Sequence, residues 1–310
     1  MDAPKTIRRR LSKASHAVSD HVPDLAQLSK TLHWDDLEDW MRDNEYIRSG
    51  YRRAQNHWKG TFQSVFGYLH NETVNIHSHL WGAVLFIYLM LTVYSSHIQA
   101  YPTATWADMF IFQAFLVSAV ICLGMSAFFH TSTCHSHQVA VRCVALDYTG
   151  IITLILGSMY GSIYYGFFCH PQYQMVYIGI LTCAGLGASV VVLQPEYAKA
   201  SHRGLRTSIF VGLGLTGAIP VAHTLYTHGF SRLMHDMGAK WLLASAALYL
   251  VGASLYANRI PERLAPGRFD YFFSSHQIFH VCVVLAALAH FMHISTGLDY
   301  WHSQHDSCGA

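Results

Sequence analysis

The stretch SSHQIFHVCVVLAALAHFMHIS, residues 274–295, decides how this chain folds. It contains no Asp, Glu, Lys or Arg, and it exceeds the roughly 20 apolar residues that a helix needs to cross a bilayer. Apolar side chains fall on every side of such a helix, so it has no polar face to give to water. Six similar runs precede it, at 78–97, 107–130, 141–164, 173–193, 207–227 and 240–257. Breakers or charges separate them: Tyr101-Pro102, Ser132 to Gln138, His170-Pro171, Gln194-Pro195-Glu196, Thr227-His228-Gly229, and Arg259 to Asp270. The chain reads as an all-α membrane protein, a seven-transmembrane-helix bundle over 77–295. An N-terminal region, 1–76, precedes the bundle, and a short tail, 296–310, follows it.

Charge supports this division. Only 12% of the residues are charged and 52% are hydrophobic, against about 25% charged in soluble domains. Residues 1–76 hold 21 of the 38 charges, so the bundle segment is too poor in charge to be a soluble globule. A net charge of +2 argues against nucleic acid as a partner. Lys and Arg divide unevenly between the two ends of the bundle. The N-terminal region, Arg142, Lys199, Arg203, Arg206, Arg259, Arg263 and Arg268 put 18 on one side, against Arg232 and Lys240 on the other. The positive-inside rule then places the N-terminus in the cytosol and the C-terminus outside, in the plasma membrane or an endomembrane.

The N-terminal region has no apolar core of a secretory signal, so the first long run is expected to direct membrane insertion. Leu25, Leu28, Leu32, Leu37, Trp40 and Met41 recur at roughly helical spacing and predict a short amphipathic helix. Thr61 to His70 predicts another at headgroup level. The first 20 or so residues have a composition expected of disorder. Seven cysteines form no CxxC pair, so no disulfide framework is expected, although Cys169 and Cys308 fall on the same side.

Histidine is the other anomaly, at 22 residues in a chain short of charge. It titrates near neutrality and binds metals, and ionisable groups inside spans are functional candidates by default. Helix direction sorts them. His130 ends the second span, while Asp147, His276 and His280 lie just inside the third and seventh, so four groups share one depth in the inner leaflet. His223, His290 and His293 fall toward the other face. His276 and His280 stand one turn apart on a single helix face, a spacing that presents two imidazoles to one metal. His130 completes a three-histidine set with a fourth position open, the pattern of a catalytic zinc site. Asp147 is placed to support it, and Ser126 shares a face with His130. Cys134 is a weaker rival ligand. The loop cluster Cys134 to His137, and His302 and His305, read as solvated surface.

Five motifs then identify a resemblance. They are Asp43-Asn44-Glu45-Tyr46 with Gly50-Tyr51-Arg52; His70-Asn71-Glu72-Thr73-Val74-Asn75-Ile76 with His79-Leu80; Ser126-Ala127-Phe128-Phe129-His130; Leu146-Asp147-Tyr148-Thr149-Gly150; and His276-Gln277-Ile278-Phe279-His280. Over residues 34–296 the chain resembles the progestin and adiponectin Q receptor family, with its fungal zinc-homeostasis and bacterial haemolysin-III-like branches. Gly50-Tyr51-Arg52 departs from the glycine-histidine-arginine run of the animal receptors.

The resemblance implies a heptahelical receptor with zinc (Zn2+) held by His130, His276 and His280, and with Asp147 and Ser126 beside the metal. It also implies a ceramidase-like lipid amide hydrolase acting in sphingolipid and zinc homeostasis. Membrane lipids, ceramide and free fatty acid are the implied partners, with an extracellular protein or a steroid as candidate ligand. Two other readings remain open at this point: a non-enzymatic receptor with structural zinc, and an ion transporter or channel.

Overall fold

The computed structural model describes residues 30–303 and Cys308. Seven helical segments among these are long and apolar enough to span a membrane, as the hydropathy runs predict. They are α2 (Thr73–Val93, extended by one wide turn to Ile98), α3 (Trp106–Ser132), α4 (His137–Gly166), α5 (Pro171–Val192), the pair α6 (Arg203–Leu215) and α7 (Ala218–His228), α9 (Ala239–Asn258) and α10 (Ser275–Ser303). A short helix α1 (Trp58–Gly67) precedes them, near the predicted Thr61 to His70 segment, and α8 (Phe230–His235) links α7 to α9. The fifth span is broken at Thr216-Gly217. Pro220, in the first turn of α7, has no N–H to continue a ladder from α6.

Helices α2, α3, α4 and α10 enclose the core around Phe86, Phe112, Phe115, Leu123, Ile294 and Leu298. Small residues allow the close approach, as expected where lipid provides no hydrophobic drive between helices. A Cβ on Gly150 of α4 would meet the Cα of Cys122 of α3 at 2.8 Å, and one on Gly161 would meet the side chain of Ile294 of α10 at 2.8 Å.

The segment from Lys30 to Asn56 folds over one end of the bundle. The amphipathic helix expected to end at Met41 does not form among the described residues; Leu25 and Leu28 lie outside them. Thr31–Leu32 (β1) instead pairs antiparallel with Tyr51–Arg52 (β2), and single tight turns follow at Trp34–Asp36 and Asp39–Met41. Asp35, Glu38 and Asp39 would stand at i, i+3 and i+4 on one helix face, where like charges repel. The segment is fastened to two loops at the same end. Gln55 and Asn56 donate backbone N–H groups to Cys134 and His135, while Asp270 accepts from Arg48 N (2.9 Å) and Ser49 Oγ (2.6 Å). Gly50 is held at φ +84°, with its neighbours so near that a Cβ would lie 3.1 Å from the Tyr271 ring and 3.2 Å from the Asn71 backbone nitrogen.

Three sequence expectations are corrected. Cys134 is buried, closed over by the N-terminal segment, and His135 packs on Trp58 at 4.5 Å between ring centroids. His302 is not solvated either: its Nε2 lies 3.1 Å from Oδ1 of fully buried Asp108, because α10 continues past residue 295 to Ser303. At this second end Cys169 and Cys308 form a disulfide, a pairing set by tertiary placement across 139 residues of sequence. His305 and the first 29 residues lie outside the described residues.

Candidate metal centre

The three predicted ligands come together. His130 is in the last turn of α3, and His276 and His280 lie one turn apart at the start of α10. One ring nitrogen from each falls within 4.8 Å of the others. The ring centroids are 4.9 Å (His130–His276), 4.7 Å (His130–His280) and 4.8 Å (His276–His280) apart.

The partners of these rings show which nitrogens are free. His130 Nδ1 lies 2.7 Å from Glu72 Oε2, and a carboxylate accepts, so Nδ1 carries the proton. His130 Nε2 is buried with no partner. His280 Nδ1 lies 3.1 Å from the backbone carbonyl of Asn75, which likewise fixes its proton. Both rings are therefore locked with Nε2 lone pairs available to an ion, the arrangement that outer partners impose on metal-binding histidines. An orphaned, buried Nε2 beside two further imidazoles fits a zinc ion.

Four residues beyond the predicted set complete the centre. Glu72 and Asn75 belong to the N-terminus of α2, and Glu72 also accepts from Asn75 Nδ2 at 2.8 Å. Burial pushes the Glu72 carboxyl up, but the His130 imidazole against it outweighs this and holds it below the usual carboxylate range. His79, one further turn along α2, stacks on His280 with centroids 3.7 Å apart and planes at 13°. Glu72, Asn75 and His79 stand at i, i+3 and i+7, so one face of α2 points at the centre. That periodicity was readable in the sequence once the helix was allowed to start at Thr73.

Arg52 is the fourth, only 2% exposed. Its guanidinium donates to the carbonyls of His130 and Thr131, to Thr133 Oγ1 and to Ser64 Oγ. These carbonyls end α3 and have no helical partner of their own. Beside it His70 is fully buried, and burial together with the Arg52 charge pushes its imidazole down to about 3.

Asp147 and Ser126 are also where the sequence places them. Both line a cavity of about 210 Å³ whose wall includes His276, His280 and His79 and is otherwise largely apolar. Asp147 comes from α4 and Ser126 from α3, one turn before His130, with the serine side chain against the carboxyl. The three predicted ligands and Asp147 do converge; His293 and His223 lie elsewhere, hydrogen-bonded to Gly238 O (3.2 Å) and Tyr177 Oη (3.0 Å).

The chain is similar throughout this region to known membrane proteins. A family profile described as haemolysin-III related matches residues 67–291. Progestin and adipoQ receptor-like protein 1 of Caenorhabditis elegans is 42% identical over 269 residues, 86% of this chain and 60% of that protein. The ADIPOR-like receptor IZH2 of Saccharomyces cerevisiae is 35% identical over 306 residues, 97% of this chain and 96% of that protein. The adiponectin receptor protein of Drosophila melanogaster is 38% identical over 266 residues, 86% of this chain and 59% of that protein. The chain thus spans about three fifths of the nematode and fly proteins and nearly all of the yeast one. With seven spans and a family match that covers them, the chain belongs to the haemolysin-III-related family of multi-pass membrane proteins, with the progestin and adipoQ receptors and the fungal ADIPOR-like receptors.

Proposed function

We propose that this protein is a zinc-containing receptor-type membrane protein that hydrolyses a lipid amide of the ceramide class within the bilayer. The observation that carries the reading is the convergence of three imidazoles, two of them with fixed Nδ1 protons, on the wall of an apolar cavity that also holds a carboxyl and a hydroxyl. His130, His276 and His280 would hold the ion. Zinc bound there supplies Lewis acidity toward a carbonyl oxygen and toward water. Asp147 takes the proton from the attacking water and returns it to the departing amine. Ser126 Oγ donates a hydrogen bond to the carbonyl oxygen as negative charge develops on it. The apolar wall binds the hydrocarbon chains and keeps bulk water from the acid–base pair.

We further propose that the end carrying the N-terminal segment faces the cytosol. It holds most of the Lys and Arg residues, and the Cys169–Cys308 disulfide sits at the opposite end, where an oxidising compartment would preserve it. In a cell, an impermeant maleimide should then reach the reduced Cys308 from outside while leaving an N-terminal tag protected.

The function is tested by elemental analysis of purified wild type against His276→Ala/His280→Ala, together with fatty acid release from a long-chain ceramide by wild type and Asp147→Asn. About one zinc per chain, lost in the double variant, and release lost in Asp147→Asn, are expected. Zinc content unchanged by the double substitution removes the metal reading. Zinc present with no fatty acid released removes the hydrolase. The second reading, a structural ion, draws on the way the centre joins α3 and α10 and rests on α2; it predicts zinc-dependent stability with Asp147→Asn signalling like wild type.

A further inference from the structure

Helix α1 meets three environments. At about 100° per residue, Thr61, Ser64 and Val65 share one side and are buried against the bundle. Lys59, Gln63 and Gly67 share a second and are exposed. Trp58, Phe62 and Phe66, at i, i+4 and i+8, fill the sector between them, and Phe62 and Phe66 are 51% and 73% exposed. Leu69, just past the helix, is exposed as well. A helix lying on a protein in water needs one dry side and one polar side. A third, aromatic side calls for an apolar phase.

Two contacts fix the depth of that side. Trp58 stacks on Phe128 of α3, with centroids 5.7 Å apart and planes at 21°, and Phe66 meets His77 of α2 edge-on at 5.1 Å. Phe128 lies four residues before the end of α3 and His77 four after the start of α2, about 6 Å inside each helix end. Both also continue the outward faces of their spans. Phe128 shares a face with exposed Val117, three turns earlier, and His77 with exposed Trp81, Val84 and Tyr88. The aromatic side of α1 thus prolongs a surface that the bilayer covers. On its inner side, Ser64 Oγ accepts from Arg52 Nη1 at 2.9 Å, and the same guanidinium donates to the carbonyl of His130. The carbonyl of Val65, 2.9 Å from His77 Nε2, joins that side to α2.

We propose that α1 is an in-plane membrane anchor that braces the end of α3. Trp58, Phe62, Phe66 and Leu69 enter the leaflet at the end that carries the N-terminal segment, about 5–10 Å deep, at the boundary of headgroups and acyl chains. Lys59, beside the aromatic sector, keeps its ammonium among the headgroups. Through Ser64 the seated helix holds Arg52 against the carbonyl of His130, so lipid contact bears on the placement of that histidine.

The test puts a nitrobenzoxadiazole fluorophore on Phe62→Cys, Phe66→Cys or Gln63→Cys in the full chain in phosphatidylcholine nanodiscs. Cys183→Ala and Cys282→Ala clear the two free thiols that are not buried. The fluorophore at 62 and 66 should lose quenching by aqueous iodide and gain quenching by nitroxide on the acyl chain, and at 63 it should do the reverse. Iodide quenching at all three overturns the anchor. Shielding of 62 and 66 from both quenchers means that protein covers the face, and overturns it too. Wild type needs no variant to fold: photolabelled by a phospholipid with a diazirine on its acyl chain, it should carry adducts between Trp58 and Leu69, and their absence overturns the anchor. For the brace, Phe62→Ser/Phe66→Ser should lose protection from hydrogen exchange at the Gln55 and Asn56 amides, which bond to the loop after α3. An anchored wild type with protection unchanged in that variant overturns the link to His130.

Discussion

Replacing Glu72 by alanine removes the acceptor that fixes His130. The Nδ1···Oε2 separation of 2.7 Å is at the short end for a charge-assisted N–H···O bond, and among the described residues that nitrogen has no other partner. Losing such an outer partner costs about 10- to 100-fold in metal affinity, or about 1.4–2.8 kcal/mol. Two features set where in this range the variant falls. The His130 side chain is only 3% exposed, so its Nδ1–H cannot turn to bulk water. Glu72 itself is 25% exposed, so water can enter the space it leaves, which keeps the loss below that of a fully buried broken pair. Glu72→Gln keeps an acceptor but not the charge, and belongs at the weak end, about tenfold or less. Competition for zinc against a chelator of known affinity, at fixed pH and with purified protein, measures both variants on one scale. A folded Glu72→Ala protein with wild-type zinc affinity would refute the role given to Glu72 and the Nε2 assignment of His130 with it.

Arg52→Ala strips donors from two buried carbonyls and two hydroxyls, and should destabilise the protein by about 2–4 kcal/mol; Arg52→Lys should recover less than half, as a point charge replaces a fork. Thermal unfolding in nanodiscs checks both. Gly150→Ala drives a Cβ against the Cys122 backbone and should cost about 1–3 kcal/mol, whereas Gly187→Ala, with nothing within 4 Å, should be near neutral by the same assay. His70 is held at about 3 in the fold against an ordinary 6.5, so the unfolded chain binds the extra proton between these values. Its contribution is complete above 6.5 and is lost progressively as pH falls from 6.5 toward 3. Melting curves of His70→Gln should fall less steeply with acid than wild type; parallel curves would contradict the neutral, buried assignment.

The seven spans are legible in the sequence because lipid demands apolar side chains on every face, and no other solvent does. The convergence of His130, His276 and His280 is legible because i, i+4 spacing and helix direction together fix depth. What hydropathy misses is the beginning of α2. Thr73, Asn75, His77, Ser78 and His79 are polar and precede or open the apolar run, yet they are already helical, covered partly by protein instead of lipid. A window that scores affinity for lipid therefore starts the span late and leaves Glu72 outside it. The failure at Leu32 to Met41 is of another kind. There a helical spacing of apolar residues competed with a cluster of acidic ones and with pairing to Tyr51–Arg52, and long-range contacts decided it.

The position of Arg52 has a thermodynamic consequence that links the surface segment to the proposed ion. The guanidinium holds the carbonyl of His130 while the His130 ring faces the other ligands, so docking of the segment and placement of the ligand use one residue from its two sides. Two binding events that each favour the same conformation of α3 must favour one another, and by the same factor in both directions. Removing zinc should therefore raise hydrogen exchange at the amides of Gln55 and Asn56, which pair with Cys134 and His135 just past the end of α3. Reciprocally, Arg52→Ala should weaken zinc binding although Arg52 touches no ligand nitrogen. If chelation left exchange at these amides unchanged, α3 would be rigid without the ion, and the segment would be a cover with no say in the chemistry beneath it.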